Sequence, residues 1–80
     1  MSHKVITVKD CEELVMKFIA YTETAEPREF PILIIIQTKL YKTMQEIHKA
    51  NAVTDQKEAR AMFRVVLKAI GEDASEYKED

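Results

Sequence analysis

The sequence predicts an all-α protein, most simply a small antiparallel three-helix bundle with room for a short extended segment at its N-terminus. Three observations point there. Apolar side chains recur at spacings of three and four through most of the chain; one glycine and two prolines leave few places to break regular structure; and eighty residues make one domain. Apolar residues form 46% of the chain and charged residues 32%, the balance of a folded domain rather than of a disordered tail.

The first helix has a start signal in Thr7 and Asp10, a Thr-x-x-Asp variant of the capping box, with Ile6 placed to staple against Cys11. It begins near Val8, and Val8, Cys11, Leu14, Val15, Phe18 and Ile19 make its core face. The stretch 23–29 loses the period, and Pro27 disfavours helical geometry at Glu26, so a loop is expected there.

The second helix enters through Pro31, whose missing N–H costs nothing in a first turn, and runs to about Asn51. Leu33, Ile36, Leu40, Met44 and Ile47 give its inward stripe, with Lys39, Lys42, Glu46 and Lys49 on the other side. The third helix starts at Thr54 or Asp55 and stops at Gly71, with Ala59, Met62, Phe63, Val66 and Ile70 inward. Residues 1–71 thus form the helical domain, and residues 72–80 are expected to be an acidic, flexible tail. The alternative fold sets Val5–Val8 and Ile32–Ile36 as two short strands, since both runs are rich in β-branched residues.

Ile32-Leu33-Ile34-Ile35-Ile36 carries the most information. At about 100° per residue, five consecutive apolar side chains cover the whole girth of a helix, so one partner face cannot shelter them all. Either Val5, Ile6 or Phe30 covers the outer side within the monomer, or Ile32, Ile34, Ile35 and Ile36 form an oligomer interface, with a symmetric dimer favoured.

Net charge is −2, unevenly spread: residues 31–71 hold seven Lys/Arg against three Asp/Glu, and residues 72–80 hold one against five. Lys57, Arg60, Arg64 and Lys68, spaced three, four and four, form a basic ridge on the third helix. The ridge is either a solvated face or a docking strip for an anionic partner, to which its arginines would bind bidentately; the acidic tail is placed to compete for it as a built-in mimic.

Signals for chemistry are weak. Cys11 cannot form an internal disulfide, and its acidic neighbours Asp10, Glu12 and Glu13 oppose a reactive thiolate. Tyr41 and His48 edge the second helix's core stripe without a ligand set around them, and a single glycine excludes both nucleotide fingerprints. The expectation is no catalytic residue, no metal and no cofactor. The longest apolar run, residues 31–36, is far below the ~20 residues of a membrane span, and the opening lacks a signal-peptide core, so a reducing cytoplasmic setting without membrane association is expected.

Lys4-Val5-Ile6-Thr7-Val8 followed by Asp10-x-Glu12-Glu13-Leu14 resembles the start of ribbon-helix-helix transcription regulators. The resemblance covers about twenty residues and implies an N-terminal strand that pairs across a dimer and enters the major groove, with Lys4 and Thr7 toward DNA. Two functions are therefore carried forward. One is a non-enzymatic helical interaction protein that is homodimeric and binds another macromolecule, the build of small regulators, inhibitors and antitoxin-like proteins of viruses and bacteria by fold-level analogy. The other is a nucleic-acid-binding regulator using an N-terminal ribbon or the basic helix. A third possibility is sequestration of a small anionic ligand between subunits.

Overall fold

In a computed structural model, residues 5–78 are described; they form three helices and no strand, an all-α three-helix bundle. The helices are α1 (Val8–Thr24), α2 (Phe30–Ala50) and α3 (Gln56–Ala69), with short 3-10 turns at Pro27–Glu29 and Ser75–Tyr77.

Each helix begins and ends on side-chain and backbone chemistry. At the start of α1 the Thr7 hydroxyl accepts from the Asp10 N–H at 3.1 Å, while an Asp10 carboxylate oxygen accepts from the Thr7 N–H at 3.0 Å, the full capping box. Pro31 sits in the first turn of α2. Asn51, with φ 56°, ends that helix, and the Ala52 N–H bonds back to the Ile47 carbonyl. Asp55 caps α3 by accepting from the Glu58 N–H at 3.0 Å. Gly71, with φ 77°, lets the chain leave α3, and the Glu72 N–H returns to the Leu67 carbonyl at 2.8 Å. A left-handed residue at this place is a natural use of the only glycine.

One core joins all three helices, built on Leu14 and Phe18 from α1, Leu33, Leu40 and Met44 from α2, and Met62, Phe63 and Val66 from α3. Ile6 and Cys11 are both buried, as a hydrophobic staple requires. Ile19 departs from expectation: it is 38% exposed. Its neighbour Phe18 takes the inward position, so the rim falls to Ile19.

Two further expectations are corrected. The region 23–29 is shorter as a loop than its composition suggests, because α1 continues to Thr24 and Pro27 starts a 3-10 turn that leads straight into α2. That junction is tied by the Tyr21 hydroxyl, which donates to Glu29, and by the Glu26 N–H, which donates to Glu29 Oε2 at 3.0 Å. The segment after Gly71 does not leave the body of the protein: Tyr77 is buried against Phe63, with ring centroids 4.8 Å apart and an interplanar angle of 42°. An aromatic ring this close to an apolar flank outweighs the solvation preference of its acidic neighbours. Glu79 and Asp80 lie outside the described residues.

Candidate interaction surfaces

The isoleucine run lies inside α2, and its members divide by burial. Leu33 and Ile36 face the core, whereas Ile32, Ile34 and Ile35 are 60%, 60% and 69% exposed. Ile36, at 8% exposure, belongs to the monomer's core and is removed from the expected interface set. The covers proposed for the other three fail: Val5 and Phe30 are themselves exposed, and Ile6 is buried elsewhere, held at the start of α3. Ile35 and Val65 stand on the rim of a shallow notch of about 90 Å³ between α2 and α3, with Ile36, Leu40, Met62 and Val66 also lining it. At ~30 Å³ per water molecule, that is space for one branched aliphatic side chain.

On the other flank of α2 a broader groove of about 510 Å³ separates it from α1, lined by Val15, Met16, Tyr41 and Met44. At its edge His48 Nε2 lies 3.7 Å from a Glu12 carboxylate oxygen. Tyr41 and His48 are therefore rim residues of an open groove. Among the described residues no group of three or more His, Cys, Asp or Glu side chains could hold a metal ion, and no helix is long and apolar enough to cross a membrane. Cys11 is fully buried; burial, reinforced by the charges of Asp10 and Glu12, pushes its thiol up to about 11.

The basic ridge is not the continuous solvated strip that spacing alone suggests. Lys57 and Lys68 are exposed, but Arg60 and Arg64 are half-buried. Arg64 Nη1 donates to the Tyr77 carbonyl at 2.6 Å, so the C-terminal segment already lies against the ridge. Arg60 Nε is buried without a hydrogen-bond partner.

Sequence reasoning missed Gln56. Its side-chain oxygen accepts from the Ile6 N–H at 2.8 Å and its side-chain nitrogen donates to the Ile6 carbonyl at 2.7 Å. The amide thus plays the part a neighbouring strand would play, and it occupies both backbone groups through which Ile6 would pair in an N-terminal ribbon. Thr7 is spent as the cap of α1, Val5–Thr7 form no strand, and Lys4 lies outside the described residues. No local pattern marks a partnership between positions fifty residues apart. No protein-family model, curated protein or solved structure matches the chain.

Proposed function

We propose that this chain is a non-enzymatic helical interaction protein of the cytoplasm, a regulator or inhibitor by class, that pairs with a second copy of itself through the first turns of α2. One observation carries the pairing: Ile32, Ile34 and Ile35 stand 60%, 60% and 69% exposed on a domain that buries four of its other five isoleucines, at positions 6, 36, 47 and 70, and leaves only Ile19 at the rim, 38% exposed. Ile32 and Ile35, about 60° apart around α2, present with Val65 on the order of 300 Å² of apolar surface beside the notch, against roughly 800 Å² per partner, polar rim included, in a stable interface, while Ile34 and Phe30 fall on the far flank of the helix. An apolar patch of that size is within what monomers carry and is often functional, so a contact that covers it is a fitting use of it.

Self-pairing is favoured over other occupants because the face carries both halves of a contact. Projecting isoleucines stand beside a notch sized for one aliphatic side chain, and a two-fold axis lets each copy's knob fill the other's hole. Sedimentation velocity across 1–200 µM tests this directly. The expected result is a shift from one-chain to two-chain mass with rising concentration; a species of one-chain mass throughout that range refutes the pairing.

A further inference from the structure

We propose that the flank of α3 built by Arg60, Phe63, Arg64 and Leu67 is a docking surface for an acidic peptide segment carrying an aromatic ring, and that the chain's own residues 72–77 hold it closed as a displaceable strap. This surface is independent of whether copies pair through α2.

The strap itself supplies the chemistry of the occupant. Tyr77 lays its ring on Phe63, and its carbonyl takes the Arg64 guanidinium. Glu72, Asp73 and Glu76 give the same short segment its negative charge. A charge-assisted hydrogen bond and an aromatic contact are the two interactions that give a short acidic peptide both affinity and register. One turn before Arg64, the buried Arg60 Nε lacks an acceptor. A buried donor without a partner is unfavourable, and because this nitrogen is enclosed a carboxylate from another chain would satisfy it only once the Arg60 side chain turns outward. Lys57 and Lys68, exposed at the two ends of the ridge, extend the positive field beyond the strap's own footprint.

The strap is also poised to leave. A groove of about 190 Å³ separates it from α1, and Asp10 and Glu13 on α1 line that groove together with Glu72, Asp73 and Glu76 on the strap. Lys17 is the single cation lining it, 3.5 Å from Glu72. The ion pair that joins the strap to α1 across this groove, Lys17 with Glu72, is solvent-exposed and so contributes little to holding the strap, whereas Arg64 and Phe63 hold it on α3.

Two measurements on the full chain decide the matter. In hydrogen exchange of the wild type, the Tyr77 N–H, which donates to the Ala74 carbonyl, is expected to exchange at least ~100-fold faster than those of Met62 and Val66 in mid-α3, because the strap opens without global unfolding. Exchange of all three at one common rate overturns the proposal. In the second, a labelled peptide of residues 72–80 is titrated into the wild type and into Tyr77→Ala. The folded Tyr77→Ala chain should bind at least tenfold more tightly than the wild type, and adding R60E and R64E should abolish the gain. A Tyr77→Ala chain that unfolds, or that folds and gains no peptide affinity, shows the segment to be a fixed part of the core and overturns the proposal.

Discussion

Ile35→Asp separates an interface from a core more sharply than any other single change, because its sequence neighbour answers oppositely. Ile35 is 69% exposed and Ile36 only 8%, although both lie in the second turn of α2. Covering what Ile35 exposes removes about 120 Å² of apolar surface from water per copy, worth about 3 kcal/mol at ~25 cal/mol per Å². A two-fold pair does this twice, so losing both contributions weakens association by about 6 kcal/mol, roughly a 10⁴-fold rise in the dissociation constant. Forcing a carboxylate into the contact adds to the loss. The isolated domain has little at stake, since an exposed Ile-to-Asp change in a helix costs only a few tenths of a kcal/mol in propensity. Ile35→Asp should therefore sediment as one chain at 200 µM while keeping the wild-type far-UV circular dichroism and, at 1 µM, the wild-type unfolding midpoint. Ile36→Asp should fail to fold at any concentration. A variant Ile35→Asp that still pairs, or that unfolds as Ile36→Asp does, would refute the assignment of this face.

The amide bridge and the buried thiol give two further expectations. Gln56→Ala leaves the Ile6 N–H and carbonyl without their partner and should destabilise the domain by about 2 kcal/mol, lowering the thermal midpoint by about 8–16 °C; a fall of under 2 °C would mean that water replaces the amide without loss. Cys11 is neutral in both folded and unfolded chains below pH 9, but between pH 9 and about 11 the unfolded chain releases this proton first, so folding stability should drop by up to about 3 kcal/mol across that window. Cys11→Ala should flatten that part of a urea-unfolding pH profile, and an unchanged slope would argue against thiol burial as its source.

The helices were legible in the sequence because their determinants are local. Thr7 with Asp10, Asp55 with Glu58, and Gly71 each act within one turn, and the three-four spacing of Leu33, Ile36, Leu40, Met44 and Ile47 fixes the inward side of α2 whatever it packs against. The exposure of Ile32, Ile34 and Ile35 follows from the same geometry, since a rod has only one inward side. Gln56 with Ile6 and Tyr77 with Phe63 and Arg64 were not legible. Those contacts join separate segments, and a glutamine at a helix start or a tyrosine in an acidic run carries no mark of its distant partner. The ridge was legible in part: periodicity puts Arg60 and Arg64 on one side of α3 and charge pairs that side with the acidic tail, but neither says that the Tyr77 carbonyl meets Arg64.

The two proposed surfaces fall on different sides of α3, and this bears on how they would work together. Val65, beside the isoleucine notch, and the centre of the Phe63, Arg64 and Leu67 flank are separated by roughly 150° around the helix axis, from the ~100° advance per residue. Two copies joined through α2 would therefore keep both straps facing outward, one on each copy, without either blocking the other. A partner bearing two acidic aromatic segments at a matching span would meet both sites at once. Its second attachment would be intramolecular and stronger for that reason alone. Pairing would then increase the apparent affinity of a site it never touches, giving the exposed isoleucines a role that the stability of a single chain does not supply.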